Sequence, residues 1–185
     1  MKRYKLKEKI SNDLISLDEL KDNLRITHNN ADTQLNNILK SAIEEVENEC
    51  GRVISLSSYL LYMDNWPISN EIEIEKGPVS GITRVRYWSS GSFKTMPADN
   101  YQLDNTELTA RVRFFDFPAV DSDRMNNIEI EFTTGWGTPA DIPGSIRDAV
   151  LLLGSERYLT PANRNIKGEM TAAGNILRKL RVQRY

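Results

Sequence analysis

The hydrophobic pattern of this 185-residue chain changes its period at Gly51. Before that residue, apolar side chains recur every three or four positions from Leu35 to Cys50, which predicts a helix over residues 31–50. After it, short runs alternate between polar and apolar residues and predict strands between residues 52 and 134. The fold therefore has to bury both a helical stripe and one face of a sheet.

Two further helices are indicated by signals at their first turns. Ser16 and Glu19 have the spacing of a capping box and predict a helix over residues 16–26. A proline suited to a first helical turn predicts another over residues 143–159. Short turns without helix signals join the strands, which favours antiparallel pairing. The predicted fold class is α+β, mainly an α-helical bundle with an inserted, mostly antiparallel β-sheet region and helices at the N- and C-terminal ends of the chain.

The two ends of the chain carry a net positive charge, and the body between them carries a net negative charge. The formal net charge is −2, but residues 1–9 carry +4 and residues 164–185 carry +5, so the body between them carries −11. The predicted organisation is a basic N-terminal extension over residues 1–14, one domain over 15–160 and a basic C-terminal segment over 161–185. The acidic body is not expected to wrap nucleic acid, whereas the basic ends suit a polyanion or an acidic protein partner.

The last part of the chain favours a short basic helix over residues 170–182, with Ile176, Leu177 and Leu180 as its apolar side chains. Ordering about 16 residues costs roughly 1–2 kcal/mol per residue, whereas each apolar side chain recovers only about 1.5–3 kcal/mol on burial. We therefore expect residues 170–185 to be poorly anchored until a partner surface covers them.

Composition excludes several classes of protein. The single cysteine, Cys50, cannot form an internal disulfide, and with the single histidine, His28, it cannot supply the usual zinc ligands. The longest apolar run, Ala149–Leu153, is far shorter than the ~20 residues that span a bilayer. The charged N-terminus lacks the apolar region of a signal peptide. We expect no cofactor, no metal and no membrane partner, and a chain made in a reducing cytoplasm.

The motifs that resemble functional sites fit structural roles better. Gly135–Ala140 has the spacing of a dinucleotide fingerprint, but Asp141 follows it, and a tight turn between strand and helix is the favoured interpretation. The alternating carboxylates of Glu71–Glu75 lie about 7 Å apart along a strand, which predicts a solvated face. Asp121–Asp123 begins like a calcium loop, but the next positions lack the required ligand and glycine. Cys50 falls on the apolar stripe and is predicted to be buried.

Several segments, taken in order, resemble the tailed-phage head–tail connector (adaptor) family. They are Ile15–Ile26, the helix that ends in Gly51-Arg52, Trp66-Pro67, Gly77-Pro78-Val79, Ala98–Tyr101, Ile128–Phe132, Gly135-Trp136-Gly137 and Ile142–Ala149. The resemblance spans residues 15–160 and is weakest at the two ends of the chain.

This resemblance implies a structural protein of the virion rather than an enzyme. Family members form rings of about a dozen copies below the portal, extend the DNA channel and receive a stopper or tail-completion protein. An acidic body suits a channel through which duplex DNA passes without specific binding. By analogy with related adaptors, the C-terminal segment docks on the portal. The docking candidates are its basic residues, Arg164, Lys167, Arg178, Lys179, Arg181 and Arg184.

Two alternatives remain open at this point. The first is a nucleic-acid-binding accessory protein that acts through its basic ends, which salt-dependent DNA binding would favour. The second is a small enzyme whose site has no recognisable motif, although no serine-nucleophile elbow is present.

Overall fold

The structure is a computed structural model that describes residues 2–11, 14–121, 123–159 and 172–180. Four α-helices lie in this part of the chain: α1 (Leu17–Leu24), α2 (Asp32–Cys50), α3 (Gly144–Leu159) and α4 (Ala172–Leu180). The same residues form eight strands: β1 (Arg3–Lys9), β2 (Ser57–Met63), β3 (Glu71–Ile74), β4 (Val79–Ser89), β5 (Ser92–Thr95), β6 (Tyr101–Asp104), β7 (Ala110–Phe114) and β8 (Ile128–Thr134).

The α+β class is confirmed, but the chain is not mainly a helical bundle. Helix and strand each account for about a third of the described residues. The difference arises because the short strands between α2 and α3, together with β1, build two sheets with a core of their own. The described residues fall into two compact units, one formed by residues 2–11 and 55–137 and the other by residues 14–54, 138–159 and 172–180.

The first unit contains two antiparallel sheets. The strand order is β1-β2-β8-β4-β5 in the larger sheet and β3-β7-β6 in the smaller one. Alternate residues of both sheets contribute to one apolar core, as the period of two in the sequence requires. At its centre Ile130 of β8 pairs with Leu61 of β2 on one side and with Val85 of β4 on the other, and all three are fully buried.

Part of the predicted N-terminal extension is a strand. β1 pairs antiparallel with β2, from Arg3 opposite Tyr62 to Lys9 opposite Ser57, and has one irregularity between Leu6 and Glu8. The sequence alone did not indicate this strand because it is rich in lysine and most of its residues are exposed, so its apolar signal is weak. Lysines and an irregularity are common features of edge strands, where they discourage further pairing.

The glycine-rich motif is the predicted turn. Gly135 has φ +108°, and a β-carbon at this position would lie 2.6 Å from the carbonyl oxygen of Ser55. Its backbone amide donates a hydrogen bond to the carbonyl of Pro78 (2.8 Å), and Trp136 forms a parallel bridge with Ser55. The glycine is therefore required for close backbone packing, a sufficient reason for its place in the sequence.

In the second unit, α1 begins with the predicted capping box. The backbone amide of Glu19 donates to the Ser16 hydroxyl (3.2 Å), and the Glu19 carboxylate accepts from the Ser16 amide (3.4 Å). The flanking residues Ile15 and Leu20 are both buried, as a hydrophobic staple requires. The ammonium of Lys21, almost fully buried, donates to Asn29 and Asp32 and so joins the end of α1 to the start of α2.

The stripe of α2 forms much of the core of this unit. The buried residues of α2 are Leu35, Leu39, Ala42, Ile43, Val46 and Cys50. The predicted burial of Cys50 is confirmed, whereas Ile38 is only half-buried, at the edge of the stripe. A β-carbon on Gly154 of α3 would lie 3.0 Å from a methyl group of Leu20, so a small residue allows α3 to approach α1 closely.

Candidate docking surfaces

Two of the six predicted docking residues lie in the described part of the chain. Arg178 and Lys179 are exposed on the last turn of α4. Arg164, Lys167, Arg181 and Arg184 lie outside the described residues.

α4 is better anchored than its sequence predicts. It packs against α3 and α2 within the second unit, and Ala173 is fully buried. The sequence predicts poor anchoring for residues 170–185; the packing of α4 argues against this for residues 172–180, and the other residues of that range lie outside the described part of the chain. The charged groups of Arg178 and Lys179 remain available to a partner while their helix is held in place.

The outer face of the larger sheet carries interlocking ion pairs. Glu131 of β8 accepts from Lys7 of β1 (2.7 Å) and from Arg84 of β4 (2.8 Å), and Glu129 pairs with Arg86. The Glu131 side chain is only 8% exposed beneath these two partners. The hydrogen bond from Lys7, aided by that from Arg84, holds the pKa of Glu131 below its usual value despite its partial burial.

The smaller sheet has a similar charged face. Glu71 accepts from Arg113 of β7 (2.6 Å), and Asp104 of β6 accepts from Arg111 (2.6 Å). Hydrogen bonds from Thr106 and Arg111 lower the pKa of Asp104 to about 2. The expected solvated face is confirmed for Glu73 and Glu75, which are exposed. No group of three potential metal ligands occurs among the described residues.

An arginine is stacked on aromatic rings beside β5. Trp88 and Phe93 face each other across β4 and β5 with ring centroids 4.9 Å apart. The guanidinium of Arg124 lies 3.8 Å from the Trp88 centroid and 5.2 Å from that of Phe93. Cation–π attraction of this kind contributes about 0.5–1 kcal/mol at an exposed site and orients the arginine.

Exposed large apolar residues lie on the loop after β2 and on the loop between β7 and β8. Ile68, Phe115, Phe117 and Met125 are the large apolar side chains exposed there. The sequence did not single them out because they belong to neither a helical nor a strand period. The available signal was the presence of two aromatic residues in the turn-rich run Phe115-Asp116-Phe117-Pro118.

The other sequence-predicted candidates do not converge on a reaction centre. His28 is exposed in the linker between α1 and α2, and Cys50 is buried in α2. Asp121 accepts from the backbone amides of Ser90 and Gly91 (3.1 and 3.4 Å) and so stabilises the β4–β5 turn. Asp141 closes a capping box with Thr138 at a short 3-10 helix before α3. No helix in the described residues is long and apolar enough to cross a membrane.

Comparison with curated protein sequences gives no match. Among solved structures, a chain from the neck of an empty gene transfer agent particle, computed with C6 symmetry, matches with a TM-score of 0.79 at 18% identity, over 100% of this chain and 97% of that chain.

Two further chains from such particles are similar. One comes from the virion of a native gene transfer agent particle, with a TM-score of 0.78 and 18% identity over 100% of this chain and 97% of that chain. The other comes from the neck of a native particle, computed with C12 symmetry, with a TM-score of 0.73 and 18% identity over 96% and 95% of the two chains. At this identity the likeness shows a shared fold.

Part of the sequence also matches a family model. Residues 14–89 match the model of the phage gp6-like head-tail connector protein. That range contains α1, α2 and the strands β2 to β4, and so includes residues of both units. The resemblance to the tailed-phage head–tail connector family is therefore confirmed, and the sequence of residues 14–89 carries it.

Proposed function

We propose that this protein is a structural virion protein of a tailed phage or prophage, a head–tail connector that forms a ring below the portal. The ring extends the DNA channel and joins head to tail. The observation that carries the proposal is the family match over residues 14–89. Structures of similar fold come from particle necks computed with C6 and C12 symmetry, which supports assembly into a ring. Such a protein acts through its contacts and needs no catalytic site.

The proposed partners are the portal protein, a stopper or tail-completion protein and further copies of the chain. Duplex DNA passes through the ring without specific binding, because the body of the chain carries a net charge of −11. The proposed location is the virion neck, and the host cytoplasm during assembly.

The basic C-terminal segment, residues 161–185, is the proposed docking tail. Arg178 and Lys179 support this role because both are exposed on a helix whose other side is packed. A helix that is already packed loses less conformational entropy on binding than a free segment, so more of its interaction energy contributes to affinity.

The alternative, an accessory protein that binds nucleic acid through its basic ends, is disfavoured by the ion pairs of the N-terminus. Arg3 pairs with Asp64 (2.8 Å) and Lys7 with Glu131 (2.7 Å), while Lys2 lies 3.7 Å from Glu75. Three of the five basic groups in residues 1–9 therefore already face carboxylates of the same chain. Their charge attracts a phosphate backbone less than the sequence suggests.

A binding experiment with the portal protein of the same phage tests the docking role. Arg178→Glu/Lys179→Glu reverses two exposed charges of α4, and Lys40→Glu/Lys94→Glu makes the same change of charge at exposed sites elsewhere. We expect the wild type and the Lys40/Lys94 variant to bind the immobilised portal, and the α4 variant to bind at least about tenfold more weakly. Equal binding by all three proteins would contradict the docking role, and no binding by the wild type would contradict the proposed function.

A further inference from the structure

One exposed arginine of the first unit, Arg124, is held in place by hydrogen bonds on both sides of it in the chain. The backbone amide of Asp121 donates to the Trp88 carbonyl (3.3 Å), and the Trp88 amide donates to the Asn127 carbonyl (2.7 Å). The side-chain amide of Asn127 also donates to the carbonyl of Arg124 itself (2.9 Å). The backbone of Arg124 is therefore fixed close to Trp88 of β4.

The guanidinium of Arg124 lies over two aromatic rings on the outer face of the larger sheet. Trp88 and Phe93 pair across β4 and β5, and β5 is an edge strand of this sheet. The guanidinium groups of Arg86 and Arg124 lie 4.9 and 5.2 Å from the Phe93 centroid. We call Trp88, Phe93 and Arg124 the arginine–aromatic cluster.

Only one of the two guanidinium groups beside Phe93 is neutralised. Arg86 pairs with Glu129. Arg124 is exposed, and among the described residues it joins no ion pair and donates no hydrogen bond. Two positive groups therefore share one ring and one carboxylate, and a second anion would offset their repulsion. Because the Arg124 guanidinium is already oriented by the rings, it loses little freedom when its planar fork binds a carboxylate.

A protein carboxylate suits this cluster better than the phosphates of duplex DNA. Duplex DNA carries a negative charge about every 1.7 Å along its axis, so it favours rows of basic groups. Arg124 is instead the single basic residue in the sequence between β7 and β8, which also contains Asp116, Asp121 and Asp123. One isolated arginine matches one carboxylate or a close pair of them.

The chain presents a close pair of carboxylates on α1. Asp18 and Asp22 are both exposed and are one helical turn apart, so they lie on the same face of α1. Neither carboxylate joins an ion pair among the described residues. Exposed carboxylates at this spacing occur nowhere else in the described helices. Because like charges one turn apart repel each other, a guanidinium bound between them would stabilise this face.

We propose that the arginine–aromatic cluster of one copy binds the Asp18/Asp22 face of α1 on a second copy. Arg124 forms the ion pair, and the rings of Trp88 and Phe93 hold its guanidinium in place. The contact is head to tail, because each copy contributes two different surfaces, and such contacts close into a ring when the rotation between copies allows it. The inference rests on the proposed connector function and deepens it by naming two surfaces through which neighbouring copies meet.

Charge reversal on each side tests this contact. Arg124→Glu reverses the cluster, and Asp18→Asn/Asp22→Lys reverses the face of α1 without placing a positive charge in the first turn of that helix. All three residues are exposed, so both variants are expected to melt near the wild-type temperature. The matched controls are Lys94→Glu, on the opposite face of β5 from the cluster, and Glu44→Lys, at an exposed carboxylate of α2.

Self-association is measured by sedimentation velocity up to about 1 mM chain, so that even contacts with millimolar dissociation constants are populated. We expect the wild type and both controls to self-associate, and each reversed variant alone to do so at least about tenfold more weakly. A 1:1 mixture of the two reversed variants should recover wild-type association, because each offers the surface that the other needs. An ion pair within one chain would not be recovered by mixing.

The outcomes distinguish the contact from the function. Reversed variants that associate like the wild type, a mixture that fails to recover, or a wild type that stays monomeric up to about 1 mM would each overturn the contact. Normal association of Arg124→Glu with weaker binding to the portal would assign the cluster to the portal and also overturn it. Portal binding by the wild type tests the connector function independently of these results.

Discussion

At the scale of single residues, glycine positions give the sharpest test of the first unit. Gly81 has open space around its α-carbon, Gly91 has open space but φ +77°, and Gly135 combines φ +108° with a neighbouring carbonyl at 2.6 Å from an added β-carbon. We expect Gly81→Ala to change the free energy of unfolding by less than about 1 kcal/mol. Gly91→Ala should cost about 1–2 kcal/mol, and Gly135→Ala clearly more. Urea unfolding measures all three, and equal costs at Gly91 and Gly135 would contradict the close packing of Gly135 on Ser55.

The carboxylate of Glu131 predicts a pH dependence of stability. Its pKa is lower in the folded chain than the ordinary value of 4.5, so its contribution is present above that pH and is lost as the pH falls through the folded pKa. At pH 7 Glu131→Gln should cost about 1.5–3 kcal/mol, the usual value of hydrogen bonds to a charged group. The stabilities of the variant and the wild type should converge below pH 4.5.

Urea unfolding at pH 7 and at lower pH measures this convergence. Glu107→Gln, at an exposed carboxylate of the same unit, is the control and should match the wild type throughout. A difference between Glu131→Gln and the wild type that stays constant with pH would contradict the pairing with Lys7 and Arg84.

At the scale of elements, the apolar stripe of α2 was predictable, but the burial of the residues at its edge was not. Both Ile38 and Leu39 lie on the apolar pattern, yet only Leu39 is buried, because burial depends on where α3 and α1 lie across the helix. We expect Leu39→Ala to cost about 2–5 kcal/mol, the usual range for a buried leucine, and Ile38→Ala to cost less than half as much. Thermal or urea unfolding distinguishes the two, and equal losses would place Ile38 in the core.

α4 gives a second test at this scale. Because α4 packs on α3 and α2 and buries Ala173, a chain that ends at Asn163 should melt lower than the full chain. A loss of 1–2 kcal/mol corresponds to about 2–8 °C for a chain of this size. Arg178→Ser/Lys179→Ser, which changes only exposed groups of α4, should melt near the wild type. An unchanged melting temperature for the truncated chain would show that α4 adds nothing to the stability of the second unit.

Some elements of the fold could be predicted from the sequence and others could not. Period and capping signals were sufficient for α1, α2, α3 and most strands, since these follow from residues close together in the chain. β1 was missed because its pairing with β2 depends on residues 48 to 59 positions away. The exposed apolar residues Ile68, Phe115, Phe117 and Met125 were missed for a related reason: they share no period, and the loops that carry them are joined by hydrogen bonds only in the folded chain.

At the scale of the whole molecule, the distribution of charge predicts weak binding to DNA. The body carries −11, and three of the basic groups in residues 1–9 face carboxylates of the same chain. We expect no measurable binding of duplex DNA to the isolated protein at about 0.15 M salt, where charges more than about 8 Å apart are largely screened. A gel-shift assay tests this, and tight binding that weakens steeply with salt would favour the accessory-protein alternative.

The central claim is that this chain is a ring-forming connector of the virion neck. Cryo-electron microscopy of the protein mixed with the portal of the same phage tests it most directly. We predict a closed ring of copies coaxial with the portal, with residues 161–185 at the portal surface and a continuous channel along the axis. Portal particles without added density, beside single unassembled copies of the chain, would contradict the claim.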